Sequence, residues 1–511
     1  MTAGANLAAV MEGRAVDAGW AGDVAFVAGG RSITHGEVHD GAARAASLLV
    51  ELGAGRGDRV LIALPDGLAF AWAFLGAVRL GAIAVPVNPR LTPADHDRAA
   101  ADVGARVVVC EAELAGRFAG SRIVTAAALE AALAGRRRLA PVDIAAGDPA
   151  YAQYTSGTTG SPRAAVHAHG HPLVYFEAFA RQAIAIERGD VVLSVSKLYF
   201  AYGLGNSLFF PLLAGCRAVL HAAHPRPDAI ADDVRNHTVT VLFSVPTFYA
   251  HLVAAARADD WSSLRVAVSA GEALGVALAE RARGVLGCPI LDGLGSTEVG
   301  QTFASNTLAR GRDGTVGQAL PPYRISVRDD EGRSLSPGQV GALWVSGPTL
   351  LLGRLGRAAE DAATTTGEWL CTGDRAEVDA DGFLHLWGRS DDVELVGGIS
   401  VSPLEIEAVL ARHPAVTEVA VAGVVDAAGA SRLHAFVVPM TGVGVEAIEA
   451  ELVALARAAL APFKVPRTVE LVDALPRTPT GKLRRFVLRS GRWPGPSGPP
   501  QPPASAPNRS V

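Results

Sequence analysis

Residues 154–163 of this 511-residue chain read Tyr154-Thr155-Ser156-Gly157-Thr158-Thr159-Gly160-Ser161-Pro162-Arg163. Between the tyrosine and the proline the stretch holds five hydroxyl side chains, two glycines and no bulky side chain. Its backbone N–H groups and hydroxyls can therefore reach one anion, which suits a loop that binds a polyphosphate. The Gly-Lys-Ser/Thr ending of the common nucleotide-binding loop is missing. Taken alone, the stretch is also typical of a flexible surface turn. The choice between a phosphate-binding loop and such a turn depends on motifs elsewhere in the chain.

The composition is that of a globular protein with several domains. Hydrophobic residues make up 49% of the chain and charged residues 19%, which excludes a disordered protein. The length predicts two to four domains. The formal net charge is −5, and no basic stripe with interleaved aromatic residues appears, so we predict no nucleic-acid partner.

The cysteines and the apolar runs indicate a reducing compartment and no membrane span. Four cysteines lie far apart and form neither a CxxC pair nor a disulfide framework: Cys110, Cys216, Cys288 and Cys371. The N-terminus lacks a signal-peptide pattern, and we predict a cytoplasmic location. Two uncharged runs, 198–216 and 238–256, are long enough to test as membrane spans, but Pro211 and Pro246 interrupt them. Both runs are typical of buried strand-and-helix segments.

A repeated strand–helix rhythm predicts the fold class. Short apolar runs alternate with helical patterns over 38–110, where the first helical pattern covers 38–52, and again over 191–291. In the second region the apolar runs look like buried strands: 191–193, 218–220, 241–243 and 265–268. This rhythm indicates mostly parallel sheets covered by helices. From residue 314 the pattern changes to short strands and turns, such as 329–332 and 379–382, and predicts a β-barrel-like subdomain over 314–388. The expected fold is therefore α/β, with a large N-terminal domain that contains this subdomain.

The last quarter of the chain predicts a smaller α+β domain. Helical patterns lie near 403–413 and 445–459, within a compact segment of about a hundred residues. Residues 491–511 are rich in Pro, Gly and Ser, and we predict a disordered tail. The expected organisation is 1–388, a hinge lead-in at 389–390 with the hinge at 391, a mobile domain over 392–490, and the tail.

Four more motifs follow the first stretch in a fixed order: Asp292-Gly293-Leu294-Gly295-Ser296-Thr297-Glu298, Gly367-Glu368-Trp369-Leu370-Cys371-Thr372-Gly373-Asp374, Gly388-Arg389-Ser390-Asp391-Asp392 and Pro479-Thr480-Gly481-Lys482. Each motif is common alone. Together, over about residues 20–488, they resemble the adenylate-forming superfamily of acyl- and aryl-CoA ligases, firefly-type luciferases and peptide-synthetase adenylation domains. Activation of a carboxylate needs a loop on the phosphates, a divalent metal, a grip on the ribose and a cation near the reacting oxygens.

The motifs supply a candidate for each of these roles. Glu298 is the best carboxylate for Mg²⁺, although a helix N-terminal carboxylate with Thr297 as cap is the plain alternative. Asp374 can accept both ribose hydroxyls, or can be a turn-forming residue. Arg389 can reach the ribose or the phosphates, or can be a surface cation. The loop itself would be formed by Thr155, Ser156, Gly157, Thr158, Thr159 and Gly160.

The resemblance implies further roles. Lys482, which alone would be a solvated surface group, is by resemblance the main adenylation catalyst. The superfamily rotates its C-terminal domain between two half-reactions, and Asp391 matches its hinge position, although a capping or salt-bridging Asp remains the alternative. The resemblance places further residues around ATP or AMP: Arg163, Gly271, Glu272, Ala273, Asp292, Gly293, Gly295, Ser296 and Thr297.

Within the superfamily, residues 197–206, 244–249 and 269–274 look like the acyl-pocket segments of benzoate-type aryl-CoA ligases. We place five residues around an aromatic ring: Ala201, Tyr202, Gly203, Gly295 and Gln301. Small glycines beside the tyrosine favour a short flat slot over a long acyl tunnel. Ordinary core packing is the alternative for the aromatic residues.

Three departures from the family pattern matter. Arg163 and Ala164 stand where the loop usually has Lys and Gly, and Leu395 stands where a lysine is frequent. In the family, the region around position 395 faces the thiol acceptor during thioester formation, so the missing cation makes free CoA a less certain acceptor. Gly397 and Gly398 still leave room for a narrow pantetheine path.

The predicted activity converts a small aromatic acid and ATP, with Mg²⁺, to an aryl adenylate, and then to a thioester of CoA. Loading of an acyl carrier protein is the alternative. A non-catalytic nucleotide- or acid-binding protein and a luciferase-like oxidation are the more distant ones. Monomer and homodimer both stay open.

Overall fold

The computed structural model describes residues 5–118, 120–155, 163–255, 261–355, 365–396, 399–425, 431–440, 448–478 and 483–490. The chain divides into two compact units, residues 1–391 and 392–511. The described strands of the first unit are β1 (Val24–Ala28), β2 (Arg31–Thr34), β3 (Arg59–Ala63), β4 (Ile83–Pro86), β5 (Val107–Cys110), β6 (Arg122–Thr125), β7 (Pro149–Thr155), β8 (Arg163–Ala168), β9 (Val191–Ser194), β10 (Arg217–Leu220), β11 (Val241–Ser244), β12 (Val266–Ala270), β13 (Ile290–Gly295), β14 (Thr302–Ser305), β15 (Gln318–Ala319), β16 (Arg324–Arg328), β17 (Gly341–Ser346), β18 (Gly353–Arg354), β19 (Thr365–Thr366), β20 (Trp369–Val378) and β21 (Leu384–Arg389).

Helices separate most of these strands along the chain. They are α1 (Leu7–Asp17), α2 (His35–Glu51), α3 (Leu68–Leu80), α4 (Pro93–Val103), α5 (Ala126–Leu133), α6 (His171–Tyr175), α7 (Ala201–Leu204), α8 (Phe210–Ala214), α9 (Pro227–His237), α10 (Pro246–Ala255) and α11 (Val276–Leu286). Wider π-helical turns continue α6 over Phe176–Ala183 and join α7 to α8 over Gly205–Phe209, and a 3₁₀ turn covers Ala112–Arg117.

Two large sheets form the body of the first unit. One has nine strands in the order β15-β14-β13-β12-β11-β9-β10-β1-β2, and the other has seven in the order β18-β8-β7-β4-β3-β5-β6. The central strands of both sheets are parallel, and the antiparallel pairs lie toward the edges. These helix-covered, mostly parallel sheets confirm the predicted α/β class.

Local sequence explains the helices that cover the sheets. All thirteen residues of α3 are buried, as expected for a helix that is apolar apart from Arg79, whose charge is paired with Glu12. Helix α2 packs on it and begins three residues before the predicted start, because Thr34 caps it and Glu37 completes a capping box. The apolar runs predicted as buried strands at 191–193, 218–220, 241–243 and 265–268 correspond to β9, β10, β11 and β12.

A third, antiparallel sheet of five strands follows. Its order is β16-β17-β20-β19, and β21 pairs with the other half of the long strand β20. The predicted turns at 329–332 and 379–382 join β16 to β17 and β20 to β21. In the second turn, the Asp379 carboxylate accepts hydrogen bonds from the N–H groups of Asp381 and Phe383, both at 2.9 Å. This turn fixes the register that brings the ends of β20 and β21 together.

The second unit is a small α+β structure with its own core. Its strands are β22 (Glu394–Val396), β23 (Ile399–Val401), β24 (Val416–Val425), β25 (Ser431–Pro439) and β26 (Thr468–Leu471), and its helices are α12 (Pro403–Leu410), α13 (Ile448–Ala459) and α14 (Arg485–Arg489). Strands β24, β25 and β26 form one sheet, and β22 pairs with β23. The predicted tail over 491–511 lies outside the described residues.

Among the described residues, no helix has both the length and the apolar character needed to cross a membrane. The two tested runs instead contain α7 with α8, and β11 with α10. All four cysteines are free thiols, and three of them are buried.

Candidate active site

The ends of the predicted phosphate loop are neighbours in the seven-stranded sheet. Strand β7 ends at Thr155, antiparallel β8 begins at Arg163, and these two residues are register partners. Between them lie residues that fall outside the described part of the chain, so their phosphate-binding role stays a prediction: Ser156, Gly157, Thr158, Thr159 and Gly160.

Two further motifs that we predict to bind the nucleotide meet at the carboxyl ends of adjacent parallel strands. Strand β12 leads into Gly271, Glu272 and Ala273, and β13 carries Asp292 and Gly293. Their register pairs Ala270 with Gly293, so the two motifs lie side by side. In open α/β sheets ligands bind outside this edge, where the loops leave the strands.

Asp292 links these two motifs from a buried position. Its Oδ2 accepts a hydrogen bond of 3.0 Å from the backbone N–H of Leu274. Burial raises the pKa of Asp292 to about 7. Its Oδ1 has no hydrogen-bond partner within the described residues. A buried oxygen of this kind can accept a hydrogen bond from an N–H group of a ligand.

Glu298 lies in a turn that follows β13. The Ser296 hydroxyl accepts a hydrogen bond from the Val299 N–H at 3.2 Å, and the Ser296 carbonyl accepts one from the Gly300 N–H at 3.0 Å. Ser296, and not Thr297, therefore caps this turn. The Glu298 side chain is 25% exposed, which leaves its carboxylate accessible to a metal ion.

A buried arginine lies beside that carboxylate. Arg354 Nη2 is 3.5 Å from Glu298 Oε1, and the arginine side chain is only 6% exposed. Arg354 belongs to β18, which pairs with β8 two residues beyond Arg163. Sequence reasoning did not identify this residue, since no local motif marks an arginine whose partner is 56 positions away.

Asp374 and Arg389 face each other across a ladder of the third sheet. They are register partners on β20 and β21, and Arg389 Nη1 lies 3.5 Å from Asp374 Oδ1. The same nitrogen donates a hydrogen bond of 2.8 Å to the Thr372 carbonyl. A Cβ on Gly373 would lie 2.8 Å from Arg389 Nη2, and the φ of Gly373 is +77°, a backbone conformation that favours glycine.

Glu298 is close enough to this pair for its charge to act on Arg389. Desolvation alone would lower the pKa of Arg389, but the charges of Asp374, Asp391 and Glu298 raise it above its ordinary value. The structure thus brings the predicted metal carboxylate within electrostatic range of the predicted ribose-and-phosphate pair, although 76 residues separate Glu298 from Asp374.

The predicted acyl-pocket residues also come together. Gln301 Nε2 lies 3.4 Å from the Tyr202 carbonyl and 3.5 Å from Asn206 Oδ1. The Tyr202 ring stands edge-on to Phe243 at 6.0 Å. Burial raises the pKa of the Tyr202 hydroxyl well above its usual range, so the ring stays neutral. Ala201 and Gly203 share α7 with Tyr202.

The glycines of this region allow close packing. A Cβ on Gly295 would lie 2.8 Å from the Gln301 carbonyl, and one on Gly205 would lie 2.0 Å from Gln301 Nε2. These contacts fix Gln301 beside Gly295 and Gly205, and the short flat acyl slot stays a prediction.

The donor set fits a magnesium ion that is shared with substrate phosphates. Among the described residues, no group of three or more His, Cys, Asp or Glu side chains could hold a metal by itself. Mg²⁺ in nucleotide sites is usually bound by one or two carboxylates plus phosphate oxygens. Glu298 can supply that carboxylate.

Besides the loop residues, three more predicted residues lie outside the described part of the chain: Lys482, Gly397 and Gly398. Asp391 is described, and its Oδ1 lies 3.3 Å from Arg389 Nε. The first compact unit ends at this residue. Its role as a hinge stays a prediction.

Comparison with known proteins assigns the chain to a family. The model of the AMP-binding enzymes matches residues 14–354, and that of the AMP-binding enzyme C-terminal domain matches residues 405–482. The chain therefore belongs to the AMP-binding enzymes, the adenylate-forming superfamily that its five motifs resemble.

Individual relatives narrow the likeness. The chain is 42% identical over 489 residues to the p-hydroxybenzoic acid–AMP ligase FadD22 of Mycobacterium marinum, covering 95% of this chain and 69% of that protein. It is 38% identical over 504 residues to the benzoate–CoA ligase of Thauera aromatica, covering 95% and 96%. These matches confirm the predicted likeness to benzoate-type ligases.

Solved structures agree with the fold. A benzoate CoA ligase from Burkholderia xenovorans LB400 superposes with a TM-score of 0.89 at 35% identity, covering 96% of this chain and all of the other. The anthranilate CoA ligase AuaEII in complex with anthranoyl-AMP gives a TM-score of 0.91 at 31% identity, covering 95% and 96%.

Proposed function

We propose that this chain is an AMP-forming acid–thiol ligase that activates a benzoate-like acid with ATP and Mg²⁺ and transfers the aryl group to CoA. The observation that carries the proposal is the grouping of Glu298, Asp374 and Arg389 at one site. The aromatic acid is supported by the names of the relatives, which include a benzoate–CoA ligase and a p-hydroxybenzoic acid–AMP ligase.

The first half-reaction joins the acid to AMP. A carboxylate oxygen of the acid attacks the α-phosphorus of ATP, the bond to the β-phosphate oxygen breaks, and pyrophosphate leaves. Asp374 accepts hydrogen bonds from the ribose hydroxyls and fixes the nucleotide. Arg389 and Lys482 stabilise the negative charge that develops on the reacting oxygens. When bound, Mg²⁺ neutralises phosphate charge, and Glu298 holds it.

The acyl slot orients the ring. Tyr202 and Gln301 flank it, and Gly295 packs so closely on the Gln301 carbonyl that an added Cβ would lie 2.8 Å from that oxygen. The apolar surroundings, such as Phe243, exclude water from the adenylate until the thiol arrives. We expect acids larger than a single substituted ring to be poor substrates.

The second half-reaction needs the same carbonyl to be open to a thiol. The thiol sulfur attacks the carbonyl carbon of the adenylate, AMP leaves with the electron pair of the broken C–O bond, and a thioester forms. Rotation of the residues after Asp391 would withdraw Lys482 and present the thiol path that we predict at Gly397 and Gly398. A cytoplasmic location is part of the same proposal, since CoA is an intracellular co-substrate.

A carrier protein is the second candidate acceptor. The frequent family lysine is replaced by Leu395, and the 42% identical relatives are named acid–AMP ligases, not CoA ligases. Both acceptors present the same phosphopantetheine arm. Turnover with free CoA, compared with turnover with a holo-carrier protein at equal thiol concentration, separates them.

The test of the proposal is ATP–pyrophosphate exchange with a panel of benzoates, cinnamates and short fatty acids. We expect exchange only with single-ring aromatic acids, and a loss of at least about 100-fold in Glu298→Gln. Glu331→Gln is the matched control, because that carboxylate is exposed in a remote turn and pairs with Arg333. Exchange that ignores the acid, or that survives in Glu298→Gln, contradicts the proposal.

A further inference from the structure

Two buried histidines lie directly behind the Glu298 turn. His167 is on β8 and has no exposed surface, and His171 begins α6 and is 7% exposed. His167 Nε2 lies 2.7 Å from the carbonyl oxygen of Thr297, the residue before Glu298. His167 Nδ1 lies 3.1 Å from His171 Nδ1.

These two distances define one arrangement of protons. A carbonyl oxygen only accepts, so the Nε2–H of His167 donates to Thr297. In a neutral imidazole the other nitrogen then accepts, so the Nδ1–H of His171 donates to His167. Burial lowers the pKa of His167 to about 4 and that of His171 to about 3, which keeps both rings neutral. The chain of donors therefore runs from His171 through His167 to Thr297.

The Thr297 carbonyl is the first of three successive carbonyls that are held from outside the turn. The Glu298 carbonyl accepts a hydrogen bond of 2.8 Å from the Leu351 N–H, and the Val299 carbonyl accepts one of 2.8 Å from the Thr349 hydroxyl. Of these three donors, only His167 lies on β8, the strand that begins at the end of the predicted phosphate loop.

Packing keeps the His167 ring in place. The Tyr151 ring stacks on it at 5.2 Å with an interplanar angle of 23°. On the side of the turn, a Cβ on Gly300 would come within 3.2 Å of the His167 ring. The imidazole is thus enclosed between Tyr151 and the turn, and its hydrogen bond to Thr297 has a fixed direction.

We propose that His167 is a positioning residue for the metal carboxylate: its Nε2–H fixes the backbone of Thr297, and thereby the direction of Glu298, while His171 selects the tautomer. This proposal rests on the proposed function. Groups that orient a metal ligand typically change metal affinity by about 10- to 100-fold when removed. The effect falls on binding of the Mg²⁺–nucleotide complex and leaves the KM for the acid largely unchanged.

The test uses the full chain and two substitutions of His167. His167→Leu removes the donor, and His167→Gln keeps an N–H that can reach the carbonyl. Calorimetry with Mg²⁺ and a non-hydrolysable ATP analogue measures affinity, and a Mg²⁺ titration of the exchange reaction measures metal dependence. We expect His167→Leu to weaken both by about tenfold or more. His167→Gln should recover most of the loss.

His169→Leu is the matched control. His169 follows the same strand and is equally buried, but its Nδ1 accepts a hydrogen bond of 3.1 Å from the Leu7 N–H, away from the turn. This variant should lose thermal stability with no change in the Mg²⁺ titration. A Mg²⁺ shift in His169→Leu as large as that in His167→Leu, or no shift in His167→Leu, overturns the proposal.

Spectroscopy of the unsubstituted protein tests the proton arrangement even if a variant fails to fold. Ring ¹⁵N signals should show the Nε2–H tautomer for His167 and the Nδ1–H tautomer for His171, and the opposite pair overturns the inference. Failure of the proposed function is a different result, namely absence of acid-dependent exchange in the unsubstituted chain.

Discussion

Gly205→Ala should narrow the acyl slot and reduce activation of aromatic acids. Gly205 has φ −60° and ψ −53°, an ordinary helical conformation, so alanine brings no backbone strain. An ideal Cβ there would lie 2.0 Å from Gln301 Nε2, whereas ordinary contacts begin at 3.4 Å. The amide must therefore move by about 1.4 Å, the difference of these two distances.

The cost of this movement follows from the contacts of Gln301. The side chain is 3% exposed, and its Oε1 accepts a hydrogen bond of 3.0 Å from the Thr302 N–H. A buried amide that loses its partners costs about 1–3 kcal/mol. A misplacement of about 1 Å at a reacting site can lower rates by about 100-fold. We expect kcat/KM for benzoate to fall by about 10- to 100-fold.

The assay is acid-dependent pyrophosphate exchange over the acid panel, with thermal unfolding measured in parallel. The KM for ATP should change little, because Gly205 lies on the acyl side. Gly284→Ala, in the last turn of α11 with nothing within 4 Å of the new Cβ, is the control and should keep full activity. An unchanged kcat/KM for every acid in a folded Gly205→Ala protein would refute the placement of Gln301 in the slot.

Three further predictions follow from the site and from the buried charges. Asp374→Asn should raise the KM for ATP by about tenfold and leave the KM for the acid unchanged. The substitution removes the charge that pairs with Arg389 and weakens the acceptor for the ribose hydroxyls. Steady-state kinetics with each substrate varied in turn measure both KM values. Lys482→Ala should cut pyrophosphate release severely but spare thioester formation from a supplied aryl adenylate, and equal loss in both steps would contradict its assigned half-reaction. The free energy of unfolding should fall as pH drops from 6.5 to about 4, because the unfolded chain then binds protons at histidines that the fold keeps neutral. Urea titrations at several pH values measure this free energy. A free energy of unfolding that is constant or rises on acidification would contradict the prediction. Burial lowers the pKa values of five histidines to about 4 or about 3: His35, His39, His167, His169 and His171. These histidines outnumber the two buried carboxyls of opposite effect, Asp66 and Asp292, whose pKa values burial raises to about 6 and about 7.

Sequence patterns predicted those parts of the fold that local chemistry determines. The apolar runs identified β9 to β12, and the Asp–Gly turns identified the hairpin that joins β20 to β21. The start of α2 was missed because its determinant is a polar capping box, Thr34 with Glu37, and not an apolar repeat. Boundaries set by caps are invisible to a hydrophobic pattern.

Some residues of the candidate site were likewise predicted from local motifs, and others were not. Glu298, Asp374 and Arg389 were predicted because each lies in a short motif. His167 and Arg354 were not, since their role depends on contacts with residues far along the chain. His167 meets Thr297 across 130 positions, and no local pattern distinguishes it from a core histidine. Pairs of this kind become visible only when the two strands are placed in one structure.

The most direct measurement is product analysis of a reaction without thiol. The purified chain is mixed with ATP, Mg²⁺ and benzoate, and the products are identified by mass spectrometry before and after CoA is added. We predict benzoyl-AMP and pyrophosphate in the first sample, then benzoyl-CoA and AMP in equal amounts in the second. Formation of ADP and phosphate, or no acyl adenylate with any single-ring aromatic acid, would contradict it.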